Sequence, residues 1–233
     1  MFKWASLTDL SSRRAFLAGA GALTAATVLH QSLAHADEPM PFTPPATPAD
    51  AIARLTAGNE RFATGKVIAP QRDLEHLRAV APKQTPFAAV LACADSRVPV
   101  EILYDQGFGD LFVVRVAGNL ATAIEIASLE YGTRILGAKA LVVLGHSNCG
   151  AVKAALEGGN VPGQISTLYQ HIAPALDRKK MDLDTAVIAN VAYQTRKLRK
   201  GSTVVAELLK EQKLWLVAGV FELETGRIRS VDA

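Results

Sequence analysis

The chain contains two cysteines, Cys93 and Cys149, and each follows an apolar run. Cys93 directly follows Phe87 to Ala92 in the stretch Leu91-Ala-Cys93-Ala-Asp95-Ser-Arg97. Cys149 belongs to Gly145-His146-Ser-Asn-Cys149-Gly150, just past the run Ala140 to Leu144. Apolar runs of this length, without polar alternation, read as strands covered on both faces, the pattern of a parallel sheet. The carboxyl ends of such strands lie along one edge, where open α/β folds place their sites. A fold of this kind is therefore expected to gather Cys93, His146 and Cys149 at one place.

Two further apolar runs, Leu111 to Val114 and Leu214 to Val220, complete the strand pattern. Between the second and third strands lies a helix. Thr122 and Glu125 make a capping box, Ile124, Ile126, Leu129 and Ile135 are expected on its buried side, and Gly137 ends it. Another helix begins where Cys149 sits, and a longer one runs from about Asp184 to Lys200 and stops at Gly201. Val217 to Glu222 and Arg227 to Val231 flank Glu224-Thr-Gly226 as a closing hairpin. The alternation predicts an α/β fold: a mainly parallel central sheet flanked by helices, with an antiparallel edge strand near the C-terminus.

Upstream the pattern differs. Ser12-Arg13-Arg14-Ala15-Phe16-Leu17 is similar to a twin-arginine export motif, and a weakly apolar stretch follows it to Ala34-His35-Ala36, an A-x-A-type cleavage site. Residues 1–36 are thus expected to be a signal peptide and the mature protein to be exported, to the periplasm in a bacterium. A retained membrane anchor fits less well, because the stretch from Ala18 to Leu33 is short for a span needing ~20 apolar residues. Residues 37–47, rich in proline, read as a linker, and residues 48–233 as a single domain. Thr47 caps the first helix, with Ala51, Leu55 and Phe62 on its apolar stripe, and a short helix is expected over Gln71 to Val80.

Composition limits the partners. The formal net charge of +3 falls to 22 basic against 21 acidic residues once the leader's Lys3, Arg13, Arg14 and Asp9 are removed. Aromatic residues make up only 6%, and the basic ones form no patch interleaved with them, so a nucleic-acid surface is not expected. Arg178-Lys-Lys180 and Arg196-Lys-Leu-Arg-Lys200 sit at element ends and read as solvated surface.

Two thiolates and an imidazole form a soft nitrogen-and-sulfur set suited to zinc, and three protein ligands leave one tetrahedral position free. A disulfide between the cysteines is the rival in an oxidising compartment, but it leaves the spacing of His146, Asp95 and Arg97 unexplained. Two thiolates also cancel the formal charge of a divalent ion and weaken its pull on water. Asp95 and Arg97 are placed to compensate as a carboxylate–guanidinium pair beside the metal, though taken alone they could equally be an ion pair that fixes a turn. His76 and His171 have no motif around them and read as ordinary surface or core residues.

Cys93-x-Asp95-Ser96-Arg97 followed by His146-x-x-Cys149-Gly150 resembles the β-class carbonic anhydrases. The similarity extends through Phe112-Val-Val-Arg115, Gly118-Asn119, Glu130-Tyr131 and Glu224-Thr-Gly226. The resemblance implies a lyase, a carbonate dehydratase, with one zinc per subunit held by Cys93, His146 and Cys149. The reaction is reversible hydration of carbon dioxide to bicarbonate by attack of zinc-bound hydroxide. It further implies Asp95 and Arg97 as the catalytic pair, with Asp95 able to turn onto zinc in a closed form. Gln84, Phe112, Ala117 and Tyr131 match positions of the substrate pocket. On the residues alone Gln84 is a turn residue and Phe112 a core residue. The family also implies a homodimer or larger homo-oligomer, with N-terminal helices embracing the neighbouring subunit and the pocket formed at the interface.

Two departures stand out. Val116 occupies a position where the family commonly has asparagine. Val90, three residues before Cys93, replaces the tryptophan of members that bind regulatory bicarbonate, so that regulation is not expected. Two other functions stay open at this level: a hydrolase of related fold acting on carbon disulfide or carbonyl sulfide, and a noncatalytic exported zinc-binding protein with a closed site.

Overall fold

A computed structural model of the chain describes residues 43–233. The expected signal peptide and the start of the proline-rich linker lie outside the described residues. The first element of the described residues is α1 (Pro48–Ala63), where Thr47 and Asp50 form a reciprocal capping box and Pro48 occupies the first turn. α2 (Leu74–Val80) starts three residues later than the sequence suggests, because Asp73 caps it by accepting from the His76 amide.

The sheet follows, as β1 (Ala88–Ala92), β2 (Leu111–Arg115), β3 (Ala140–His146), β4 (Trp215–Phe221) and β5 (Ile228–Ser230). Their order is β2-β1-β3-β4-β5; the first four are mutually parallel and β5 runs antiparallel to β4 as the edge. This is the fold class the apolar runs predict. Period-two alternation divides the central strands between two cores. Ala89, Leu91, Leu141 and Val143 face one, and Ala88, Val90, Ala92, Val142 and Leu144 the other. Each fully buried leucine contributes on the order of 2 kcal/mol by leaving water.

The first face packs against α4 (Ala123–Glu130), α5 (Gly150–Glu157), α6 (Ile165–Ile172), α7 (Leu183–Gly201) and α8 (Thr203–Lys210); the second packs against α1 and the short α3 (Val100–Leu103). Cys93 and Cys149 belong to the first core. Sequence patterning ends α7 at Gly201, as observed, but assigns no helix to α8. The structure separates them at Ser202, whose hydroxyl accepts from the Val205 amide, capping α8, and bonds Glu130 at 2.6 Å. No helix among the described residues is long and apolar enough to cross a membrane.

The α4 region corrects one expectation. The Thr122–Glu125 capping box is present and Leu129 is fully buried, but Ile124 is 74% exposed and Ile135 66% exposed. At ~100° per residue, Ile126 and Leu129 point roughly opposite to Ile124, whereas Tyr131 returns to within about 20° of it. The helix therefore carries two apolar faces. A π-helical turn over Tyr131–Ile135 follows α4 and continues the outer one.

Candidate metal centre

The register of the sheet decides how the site is assembled. Ala92 pairs with both Leu144 and Arg115, so Cys93, Gly145 and Val116 stand side by side just past the strand ends. His146 is the last residue of β3, and Cys149 is the N-cap of α5. Between them Asn148 adopts a left-handed φ of 54°, which turns the chain sharply enough to bring Cys149 back over the edge. Gly145 lets α7 come close: a Cβ there would meet Val191 Cγ2 at 2.4 Å.

The donor atoms of Cys93, His146 and Cys149 all lie within 4.8 Å of one another, and all three residues are buried. No other such group of three occurs among the described residues. His146 Nδ1 is 2.9 Å from the Ser147 carbonyl oxygen, which can only accept, so Nδ1 carries the proton and Nε2 presents its lone pair. That Nε2 is buried with no hydrogen-bond partner. A buried, unpartnered lone pair beside two sulfur atoms is costly unless something electrophilic binds it. The residues therefore fit a soft divalent metal, and zinc suits the set.

The two thiols titrate apart. Cys93 is held well below the ordinary thiol range by a hydrogen bond from Cys149, helped by the amides of Gly118 and Asp95. Cys149 is pushed up by the neighbouring Cys93 and by burial. The Gly118 amide donates to Cys93 Sγ at 3.3 Å.

Asp95 faces Arg97, not the donors. Arg97 Nε reaches Asp95 Oδ1 and Nη2 reaches Oδ2, both at 2.9 Å, and the Arg97 amide donates to Oδ1 at 2.9 Å. This fork holds the Asp95 carboxyl far below the usual carboxylate range. Oδ2 lies 3.7 Å from His146 Nε2, too far for a hydrogen bond. Arg97 also donates to the Asn148 carbonyl at 3.3 Å, linking the two halves of the motif.

The sequence points to no role for Arg115 beyond its place in the family pattern. From the end of β2 it donates to the Cys93 carbonyl at 3.0 Å and to the Asp95 carbonyl at 2.5 Å, which sets the course of the Cys93–Asp95 segment. Its position at the carboxyl end of a strand was the available signal.

The four pocket residues divide. Ala117 lies in the turn beside Cys93, one residue before the Gly118 amide that bonds its sulfur. Phe112 pairs with Ala89, four residues back along β1 from Cys93, or about 13 Å at ~3.3 Å per residue. Tyr131 sits with it, ring centroids 6.1 Å apart. Gln84 is exposed and precedes the amino end of β1, so the strand's full length separates it from Cys93. Within one chain, only Ala117 of the four adjoins the metal donors.

Comparison with known proteins gives the chain its relatives. A family model described as carbonic anhydrase matches residues 88–228. Carbonic anhydrase 2 of Mycobacterium tuberculosis is 35% identical over 192 residues, covering 79% of this chain and 93% of the relative. A carbonic anhydrase of Mycolicibacterium smegmatis is 36% identical over 193 residues, covering 79% and 94%. Among solved structures, the Coccomyxa β-carbonic anhydrase in complex with acetazolamide superposes with a TM-score of 0.60 at 27% identity, over 66% of this chain and 75% of its own. One of two tetrameric β-carbonic anhydrases from Sordaria macrospora shares the fold, with a TM-score of 0.62 at 23% identity over 79% and 98%.

Proposed function

The chain belongs to the β-class carbonic anhydrase family, and we propose that it carries out the reversible hydration of carbon dioxide on one zinc ion per subunit, held by Cys93, His146 and Cys149. The observation that carries the metal assignment is the buried, unpartnered His146 Nε2 grouped with two sulfur atoms. Zinc bound there supplies Lewis-acid activation of water.

The protein's own part follows from Asp95 and Arg97. An ionised carboxylate accepts hydrogen bonds and cannot donate them. Held flat against Arg97, Asp95 presents Oδ2 beside the donor set, so it selects a water or hydroxide that turns its O–H toward Oδ2. The oxygen lone pair is then directed away from the carboxylate, toward the carbon of carbon dioxide. Arg97 keeps Asp95 charged and aligned, and Arg115 keeps the backbone beneath it in place. The turn at Ala117 borders the apolar substrate's position.

Gln84, Phe112 and Tyr131 complete the pocket of a second subunit in a homodimer or larger homo-oligomer. Their distance from Cys93 within one chain supports this reading, as does the outward-facing line of Ile124, Tyr131 and Ile135. Residues 1–36 act as a twin-arginine signal peptide and direct the folded enzyme to the periplasm, a reading supported by Arg13-Arg14 and Ala34-His35-Ala36.

Stopped-flow carbon dioxide hydration by zinc-replete protein lacking residues 1–36 tests the assignment, with metal content measured on the same sample. Turnover that disappears with the metal in Cys149→Ser is expected. A fully loaded protein with no turnover from neutral to alkaline pH sinks it. Mass determination of the protein from a periplasmic fraction, with an Arg13→Lys, Arg14→Lys variant retained inside the cell, tests the export reading.

A further inference from the structure

α7 buries a face of Ala186, Val187, Val191 and Leu198 against the sheet, yet two amides, Asn190 and Gln194, sit on the same helix, each 0% exposed. Burying an amide costs roughly 1–3 kcal/mol unless its groups are paired, and apolar side chains of the same size would fill the space without that cost. Their hydrogen bonds converge on one turn. Asn190 Nδ2 donates to the Gly118 carbonyl at 2.9 Å; Gln194 Oε1 accepts from the Ala121 amide at 3.0 Å; Gln194 Nε2 donates to Asn190 Oδ1 at 3.0 Å and to the His171 carbonyl at 2.9 Å.

The turn needs such support. Gly118 and Asn119 take consecutive left-handed φ angles of 78° and 46°, and a Cβ at Gly118 would meet Ile172 Cδ1 at 2.9 Å. Both backbone groups of Gly118 are committed: its carbonyl to Asn190, its N–H to Cys93 Sγ at 3.3 Å. The same residue therefore joins the amide pair of α7 to the metal-site sulfur.

We propose that Asn190 and Gln194 are positioning residues of the metal centre, holding the Gly118 amide on Cys93 Sγ. The proposal rests on the reading of Cys93 as a metal ligand. An N–H bonded to a thiolate draws negative charge from it, so less reaches the metal. In a set with two thiolates, which together neutralise a divalent ion, this partly restores the Lewis acidity that the sulfurs remove.

Cobalt loading of the parent, Asn190→Leu, Gln194→Met and Thr195→Val tests it, reading the thiolate-to-metal charge-transfer band and the affinity by chelator competition. Thr195 is a buried neighbour whose hydroxyl bonds only within its own helix, to the Val191 carbonyl. In Asn190→Leu the band moves to lower energy and affinity falls about 10-fold; Gln194→Met moves both in the same direction by less, and Thr195→Val moves neither. An unmoved band in Asn190→Leu, or an equal shift in Thr195→Val, overturns the proposal. Should Asn190→Leu fail to fold, the cadmium-113-loaded parent decides: scalar coupling between the metal and the Gly118 amide proton is expected, and its absence overturns the proposal. A parent with no charge-transfer band sensitive to Cys149→Ser overturns the ligand assignment itself. A parent with that band, unmoved by Asn190→Leu, overturns only the amide clamp.

Discussion

Arg97 grips Asp95 at both carboxylate oxygens, while Asp95 Oδ2 stands 3.7 Å from His146 Nε2. The aspartate thus stands beside the donor set while both of its oxygens are paired with Arg97. The consequences of that arrangement can be measured.

Asp95→Asn keeps the shape but exchanges an acceptor for a group that also donates. Hydration is expected to fall by about 100-fold or more, with zinc stoichiometry unchanged. Stopped-flow rates and metal analysis of one preparation check both halves. An active Asp95→Asn would remove Asp95 from the mechanism and leave the metal assignment standing.

Arg97→Gln separates charge from orientation. Arg97 holds the Asp95 carboxyl below the ordinary range, so without it the carboxyl returns toward a value of about 3.9. It therefore stays ionised at neutral pH. A loss of rate that persists unchanged from pH 6 to 9 is expected, because alignment fails and charge does not. Arg97→Lys should recover little, since an ammonium cannot form the two-point contact. A pH–rate profile for each variant decides.

Asp105 tests the packing of α1 and residues 68–69 against the loop that follows α3. It is fully buried, accepts from Arg61 at 2.7 Å and takes the amides of Ile68 and Ala69 at 3.1 and 2.9 Å. Burial raises its pKa, but Arg61 and the two amides outweigh burial and leave it lowered. Asp105→Ala leaves these donors without a partner and should cost about 3 kcal/mol, read from denaturant unfolding. The lowered pKa sets the sign with pH. Its contribution is complete above the unfolded value of about 3.9 and is lost as pH falls through the lower folded value. The stability gap between parent and variant should therefore narrow only in acid below about pH 4.

Ile135→Asp, alone or with Ile124→Asp, places charge on the outer face of the α4 region, where both residues are exposed in one chain. Sedimentation velocity is expected to show a smaller species, and on the proposal that Gln84 and Tyr131 complete a neighbouring site, hydration should fall in parallel. An unchanged oligomer that keeps full activity would place the interface elsewhere.

Much of this protein is legible in its sequence because local rules govern it. Uninterrupted apolar runs predict the strands, a capping box marks the start of α4, and Cys93, Asp95, Arg97, His146 and Cys149 declare themselves by residue type and spacing at strand ends. Other features depend on partners far along the chain. Ile124 and Ile135 look like core until the helix direction shows which face meets the sheet. Gln84, Phe112 and Tyr131 belong to the family's pocket pattern, yet their place relative to Cys93 follows only from strand register. Asn190 and Gln194 read as two polar residues on a helix; only the packing of α7 against the Gly118 turn links them to the Cys93 sulfur. Periodicity and spacing record what a residue does for its own element. Which side Asp95 faces, and which amide reaches a thiolate 25 residues away, depend on how the elements close against one another.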